Sequence, residues 1–163
     1  MDCATNIQSV LQEFTPLLSR IAASYEFDAS LQEDLLQDIS LAVWRALGSF
    51  RGDAKLKTFV AKIAHNRCID HVIKQKSTSG KWVELDERDV IDKQNVADSI
   101  QQKRDASLDL LSALHKLAIA NRQVITMQLE GFSYLEIANV LGISEAAVTK
   151  RAARAKQQLE QWL

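Results

Sequence analysis

The sequence has little of what most function classes need. One proline (Pro16) and five glycines among 163 residues leave few of the turn signals an all-β chain requires. The two cysteines, Cys3 and Cys68, lie far apart, with no Cys-x-x-Cys pair and no histidine at zinc spacing. A disulfide framework and a zinc module are therefore unexpected, and the thiols read as small, idle apolar groups. No apolar run approaches the roughly 18–20 residues needed to cross a bilayer, so membrane insertion is not expected. Met1-Asp2-Cys3-Ala4 carries an acid where a signal peptide carries bases, and no apolar segment follows, which points to the cytoplasm. His65, His71 and His115 form no ligand or triad pattern, and the glycines form no phosphate loop. Hydrolase or transferase chemistry has no support; no catalytic residue, metal or cofactor is expected.

What is abundant favours helix. Alanine, leucine, glutamine, lysine and glutamate dominate, and 47% hydrophobic with 25% charged residues is a globular balance. The net charge of −1 is unevenly spread. Residues 1–50 sum to −5, residues 51–81 to +6, residues 82–105 to −3, residues 106–145 to −2 and residues 146–163 to +3. Two basic blocks between acidic ones suggest two contacts with a polyanion and acidic surfaces facing something else, against the alternative of chance clustering on solvated helix faces.

The periodicity predicts an all-α protein of two small domains. From Ile7 to about Lys76 the pattern is helical, with Leu35, Ile39, Ala42, Val43 and Ala46 on one face. Phe59, Ile63, Ile69 and Val72-Ile73 continue a similar pattern after a break at Gly48 and Gly52. The periodicity stops near Ser77-Thr78-Ser79-Gly80, and a polar, mostly acidic stretch runs to about Asp105. The expected organisation is a domain over residues 1–76, an acidic linker over 77–106 and a second domain over 107–163. Helix returns with Leu108, Leu111, Leu114 and Leu117.

Residues 131–161 hold the most specific local signal. Ser133 with Glu136 three places on is a capping box that starts a helix, whose inner face is Ile137, Ala138 and Leu141. Gly142 permits the positive backbone angle of a tight turn, and Ser144 caps the next helix. That helix sets Val148, Ala152, Ala155, Leu159 and Trp162 on an inward stripe. Glu145, Ala146, Thr149, Lys150, Ala153, Arg154 and Gln157 then lie outside or at its margins. A capped helix, a glycine turn and a basic second helix make a DNA-reading helix-turn-helix, the alternative being an αα-hairpin with an incidental basic face.

Two blocks together resemble one family. Leu114, Arg122-Gln123-Val124-Ile125, Leu129 to Tyr134, Ile137-Ala138, Leu141-Gly142-Ile143-Ser144 and Val148 are similar to the minus-35-recognising domain (region 4) of a sigma factor. A proline the family usually has near Ala118 to Ala120 is missing. Family members often carry a basic residue in place of Thr149 and a bulkier one in place of Ala153. Upstream, Gln32 to Ile39, Trp44-Arg45-Ala46-Leu47, Phe50 to Phe59 and Ile63 to His71 resemble the sigma-factor core domain (region 2) over nearly all of residues 8–76. With no third domain between them, the chain resembles the extracytoplasmic-function (ECF) group of the sigma-70 family.

The resemblance implies a non-enzymatic promoter-specificity subunit that binds core RNA polymerase and promoter DNA, under control of an anti-sigma factor or other regulator. It assigns polymerase binding to Glu33, Asp34, Gln37, Asp38 and Trp44. Asp34 and Asp38 already stand out as like charges at i,i+4, which cost a few tenths of a kcal/mol unless something basic offsets them. Minus-10 melting and recognition fall to Arg51, Gly52, Lys55, Lys57, Asn66, Arg67, Asp70 and Lys74. The lysines suit phosphates, and the glycine lets an extruded base approach the backbone. Phe59 stands where the family usually has tryptophan, and either base stacking or core packing fits it. Minus-35 recognition falls to Ser144, Thr149, Lys150, Arg154 and Lys156. The acidic connector would thread the polymerase channel as a mimic of nascent RNA, or serve as an ordinary solubilising linker. A freestanding repressor or activator and a helical adaptor are the alternatives. Net charge −1 suits the first poorly, and the two ordered blocks count against the second.

Overall fold

The computed structural model describes residues 3–52, 55–78 and 106–163, with side chains for 6–52, 55–76 and 109–163. Among the described residues there are seven helices and no strand, as the composition requires. They are α1 (Cys3–Tyr25), α2 (Ala29–Leu47), α3 (Leu56–Thr78), α4 (Ala106–Lys116), α5 (Ile119–Leu129), α6 (Tyr134–Leu141) and α7 (Glu145–Trp162). The chain divides into two compact units, Met1–Val83 and Glu84–Leu163. Residues 79–105, which hold nearly all of the expected acidic linker, lie outside the described residues.

In the first unit α1, α2 and α3 pack pairwise around one core. Leu17, Leu18, Ile21, Ala22 and Tyr25 from α1 meet Leu35, Ile39 and Val43 from α2. Helix α1 runs through Pro16, which sits on its exposed face where water can take the carbonyl a proline leaves unbonded. Helix α2 starts at Asp28, whose carboxylate accepts the Leu31 N–H at 3.0 Å.

The inner face of α3 differs from the expected one. Val60, Ala61, Ala64, His65, Cys68 and Val72 are buried, while Phe59, Ile63 and Ile69 are half-buried and Ile73 is exposed. The larger apolar residues suggested the wrong stripe. The helical repeat brings 61, 64, 65, 68 and 72 to one side, where small side chains fit between two neighbouring helices. Ala42 and Ala46 of α2, expected on its buried face, are half-buried at its edge.

The second unit buries Ala113 and Leu114 of α4 and Leu117 just after it against Ile125 of α5 and Ala155 and Leu159 of α7. Phe132, Ile137, Ala138, Val140, Val148 and Ala152 are buried around the helix-turn-helix. Val140 takes the interior place expected for Leu141, which is half-buried. The stripe on α7 follows the expectation from Val148 to Leu159 and ends on half-buried Trp162, with the Lys116 ammonium 5.6 Å from its ring.

Candidate functional site

Three surfaces carry the residues singled out from the sequence. The first is the outer side of α2, turned away from Leu35, Ile39 and Val43. Glu33, Asp34, Gln37 and Asp38 are exposed there, and so is Trp44, at 50%. Leu41 shares this side and is exposed as well, and Leu31, in the first turn of α2 and one turn before Leu35, is exposed at the helix end. Phe27, just before the helix, is 52% exposed. Acids and exposed apolar groups thus alternate along this helix. The sequence reading did not single out Phe27, Leu31 or Leu41; Leu41, an apolar residue at an outward position of α2, was the one with a legible signal.

The second surface runs from the loop after α2 along α3. Arg51 and Gly52 are exposed; Gly52 has φ +81°, and a Cβ there would meet nothing within 4 Å. The backbone angle alone, not crowding, favours glycine at this turn. Phe50 and Phe59 close the base of the loop, with ring centroids 4.8 Å apart at 49°. Phe59 is thus tied to packing with Phe50 while keeping part of its surface open. Lys55 and Lys57 are exposed at the start of α3, and Asn66, Arg67, Asp70 and Lys74 are exposed along it. Asn66, Asp70 and Lys74 recur at four-residue intervals on the side of α3 opposite Ala61, Ala64, Cys68 and Val72.

Behind that face lie polar pairs that the sequence did not disclose. Tyr25 Oη and His65 Nδ1 are 2.8 Å apart, with the rings edge to face. Burial of the His65 imidazole lowers its pKa from 6.5 to about 4, so it is neutral at physiological pH. Glu26 Oε2 and His71 Nε2 are 2.7 Å apart. Cys68 is a buried free thiol; burial, with the negative charge of Asp38 adding to it, raises its pKa well above the ordinary thiol range. It is therefore a poor nucleophile.

The third surface is the helix-turn-helix. Ser133 caps α6 by accepting the Glu136 N–H at 3.2 Å. Gly142 ends α6 in the left-handed region, with φ 66° and ψ 33°. Ser144 then caps α7 by accepting the Ala147 N–H at 3.1 Å. Thr149, Lys150 and Lys156 are exposed and Arg154 is half-exposed. The Thr149 hydroxyl donates to the Glu145 carbonyl at 3.0 Å, and Lys156 Nζ donates to Tyr134 Oη at 3.4 Å. Between α4 and α5, where the expected proline is missing, Ala118 begins α5 without a side-chain cap. Arg122 reaches back there, its Nη2 donating to the carbonyls of His115 (2.7 Å) and Leu117 (3.0 Å). That satisfies carbonyls which the end of α4 would otherwise leave unbonded.

A helix-turn-helix with a basic outer face, together with a second helical unit carrying a basic loop and an acidic exposed side, is the layout of a DNA-directed transcription factor. The comparisons with known proteins narrow the class. The Sigma-70 region 2 family model matches residues 10–78, and the Sigma-70, region 4 model matches residues 107–159. The ECF RNA polymerase sigma factor SigM of Mycobacterium tuberculosis is 31% identical over 147 residues, covering 90% of this chain and 69% of SigM. The ECF RNA polymerase sigma-E factor of Escherichia coli is 24% identical over 139 residues, covering 78% of this chain and 71% of that one. Among solved structures, the sigma factor RpoE in complex with the anti-sigma factor NepR, from Bartonella quintana, shares the fold at a TM-score of 0.74, 24% identity and 96% coverage of both chains. CnrH in complex with the cytosolic domain of CnrY shares it at 0.65 and 23% identity, over 95% of this chain and 85% of CnrH.

The chain belongs to the ECF sigma factors of the sigma-70 family. It directs promoter-specific initiation of transcription by RNA polymerase, and the freestanding repressor and adaptor readings fall away. None of its described helices is long and apolar enough to cross a membrane.

Proposed function

We propose that the three surfaces divide the work of initiation. The exposed side of α2, through Glu33, Asp34, Gln37, Asp38 and Trp44, docks on a basic and apolar patch of core polymerase. The loop and outer face of α3, through Arg51, Gly52, Lys55, Lys57, Asn66, Arg67, Asp70 and Lys74, engage the minus-10 element as its strands separate. Lysine and arginine hold phosphates there, and the open glycine turn leaves room for an unstacked base beside the backbone. The outer face of α7, through Ser144, Thr149, Lys150, Arg154 and Lys156, lies in the major groove of minus-35 duplex. The domains that do this are residues 1–76 and 107–163, joined by an acidic linker over 77–106. The subunit is non-catalytic and cytoplasmic. An anti-sigma factor that covers the α2 side would block polymerase docking, in keeping with the complex of RpoE with the anti-sigma factor NepR.

The observation that carries this reading is the exposure of Asn66, Asp70 and Lys74 along one side of α3, opposite the core-forming side. Charge reversal tests the polymerase arm. Asp34→Lys with Asp38→Lys is expected to weaken co-purification with core polymerase while leaving helical content unchanged, because both carboxylates are exposed. Undiminished co-purification would contradict the assignment of α2. Duplex binding by the free protein is expected to be weak and strongly salt-dependent, since its basic blocks are small and balanced by acids. Tight, specific gel shifts at physiological salt without polymerase would contradict it.

A further inference from the structure

The corner between α1 and α2 holds α3 through two neighbouring residues. Tyr25, buried at the end of α1, meets His65, and Glu26, buried just after it, meets His71. The two histidines are six residues apart on α3, about 9 Å along its axis at 1.5 Å per residue. Two anchors so spaced add directional constraints on the rotation and axial register of α3 to those set by its apolar packing.

The two anchors differ in kind. Tyr25 and His65 form a wholly interior pair. Glu26 and His71 sit at the edge, with side chains 10% and 19% exposed. The Glu26 carboxylate is also tied to the other helix: its Oε1 accepts the Asp28 N–H at 3.0 Å, and Asp28 caps α2. Its backbone carbonyl accepts from Gln32 Nε2 at 2.7 Å, one residue before Glu33. One residue thus joins the start of α2 to α3. His71 stands one turn after Arg67, next to Asp70 and three residues before Lys74. A hydrogen bond from an imidazole to a carboxylate is among the stronger and more directional ones.

We propose that Glu26 and His71 are positioning residues for promoter opening, a pair that sets the register of the Asn66–Asp70–Lys74 face of α3 against the start of α2. The inference rests on the minus-10 reading of α3 given above. Neither residue touches DNA in this account; each acts through α3. Loss of the pair lets α3 shift within an intact core, so strand opening suffers while polymerase docking and minus-35 binding persist.

The test uses holoenzyme reconstituted from core polymerase and full-length His71→Ala, Glu26→Gln or Asn66→Ala protein. Permanganate reactivity of unpaired thymines is followed on a duplex promoter and on the same template already bubbled at minus-10, with core affinity measured in parallel. His71→Ala is expected to slow opening of the duplex about tenfold, the scale of one hydrogen bond to a charged group. It should come within about twofold of the parent protein on the bubbled template and in core affinity. Glu26→Gln keeps an acceptor for the Asp28 N–H and the side-chain shape, so it is expected to fold normally and to show a smaller loss of the same kind. It carries the test if His71→Ala does not fold. Equal losses on both templates, or a matching loss of core affinity, would mean a merely structural pair and overturn the proposal. If Asn66→Ala slows opening and neither pair variant does, the positioning role alone is wrong. If Asn66→Ala opens the duplex as fast as the parent, the minus-10 reading fails and the positioning role fails with it.

Discussion

The two units present their outward residues by different local means. In the second, a short capped helix, a left-handed glycine and another capped helix carry the outer face of α7 over an apolar stripe, and the buried polar side chain of Arg122 ties α5 to the end of α4. In the first, the corresponding face is a loop plus a long helix, and α3 is held from behind by Tyr25, Glu26, His65 and His71. Reading intact duplex needs one rigid helix of the right shape, which local caps and a greasy stripe can supply. On the proposed division of labour, holding separated strands asks for a loop and a helix face in fixed register, the role proposed above for the Glu26–His71 pair.

The largest expected effect comes from emptying the apolar core beneath the helix-turn-helix. Ile137→Ala removes a fully buried side chain beneath the helix-turn-helix and should cost about 2–5 kcal/mol, read by denaturant unfolding. A loss below about 1 kcal/mol would mean that the interior of α6 is not close-packed.

Next comes a pH effect confined to the unit that relies on polar pairs. Burial lowers the folded-state pKa of His65 from 6.5 to about 4, so below pH 6.5 the unfolded chain binds a proton that the folded chain refuses. Stability is therefore full above about pH 6.5, falls as pH drops towards 4 and levels off below that. The whole loss is on the order of 3 kcal/mol. Carboxylates titrate in the lower part of this window too, so the reading is the difference between the parent and His65→Gln. The parent's denaturation midpoint should fall more steeply between pH 6.5 and 4.5, and parallel curves would remove the buried neutral histidine from the account.

The smallest effects test the local signals of the helix-turn-helix. Gly142→Ala must hold φ 66°, which costs an L-residue about 1 kcal/mol, and Ser144→Ala loses the cap on Ala147 at a similar cost. Thermal unfolding should show both losses. A neutral Gly142→Ala would imply that the turn relaxes out of the left-handed region.

The contrast also explains what could be read before the fold was known. Ser133, Gly142 and Ser144 act within three or four residues of themselves, so their roles are written in the local sequence. The α7 stripe was legible for the same reason. The inner face of α3 was not, because Ala61, Ala64 and Cys68 are small and Phe59, Ile63 and Ile73 draw the eye to the other side. The partners of His65 and His71 lie 40 and 45 residues away, and no local pattern pairs them. The sequence did mark the outward sides of α2 and α3, where Asp34, Asp38, Asn66, Asp70 and Lys74 are all exposed. It missed the exposed Leu41 on the α2 side, because an isolated outward leucine looks like an ordinary helix former.

The division between duplex reading and strand opening is the central claim, and one pair of substitutions tests it most directly. Arg154→Ala and Asn66→Ala proteins, each assembled with core polymerase, are compared by filter binding to duplex promoter and by permanganate footprinting of the minus-10 region. Loss of a good base contact by Arg154 is worth about 1–3 kcal/mol of binding. Arg154→Ala should therefore reduce closed-complex formation on duplex, yet matter little on a template bubbled at minus-10 with the upstream element removed. Asn66→Ala should spare initial binding and impair opening. Equal damage by both substitutions to both steps would contradict the division of labour while leaving family membership untouched.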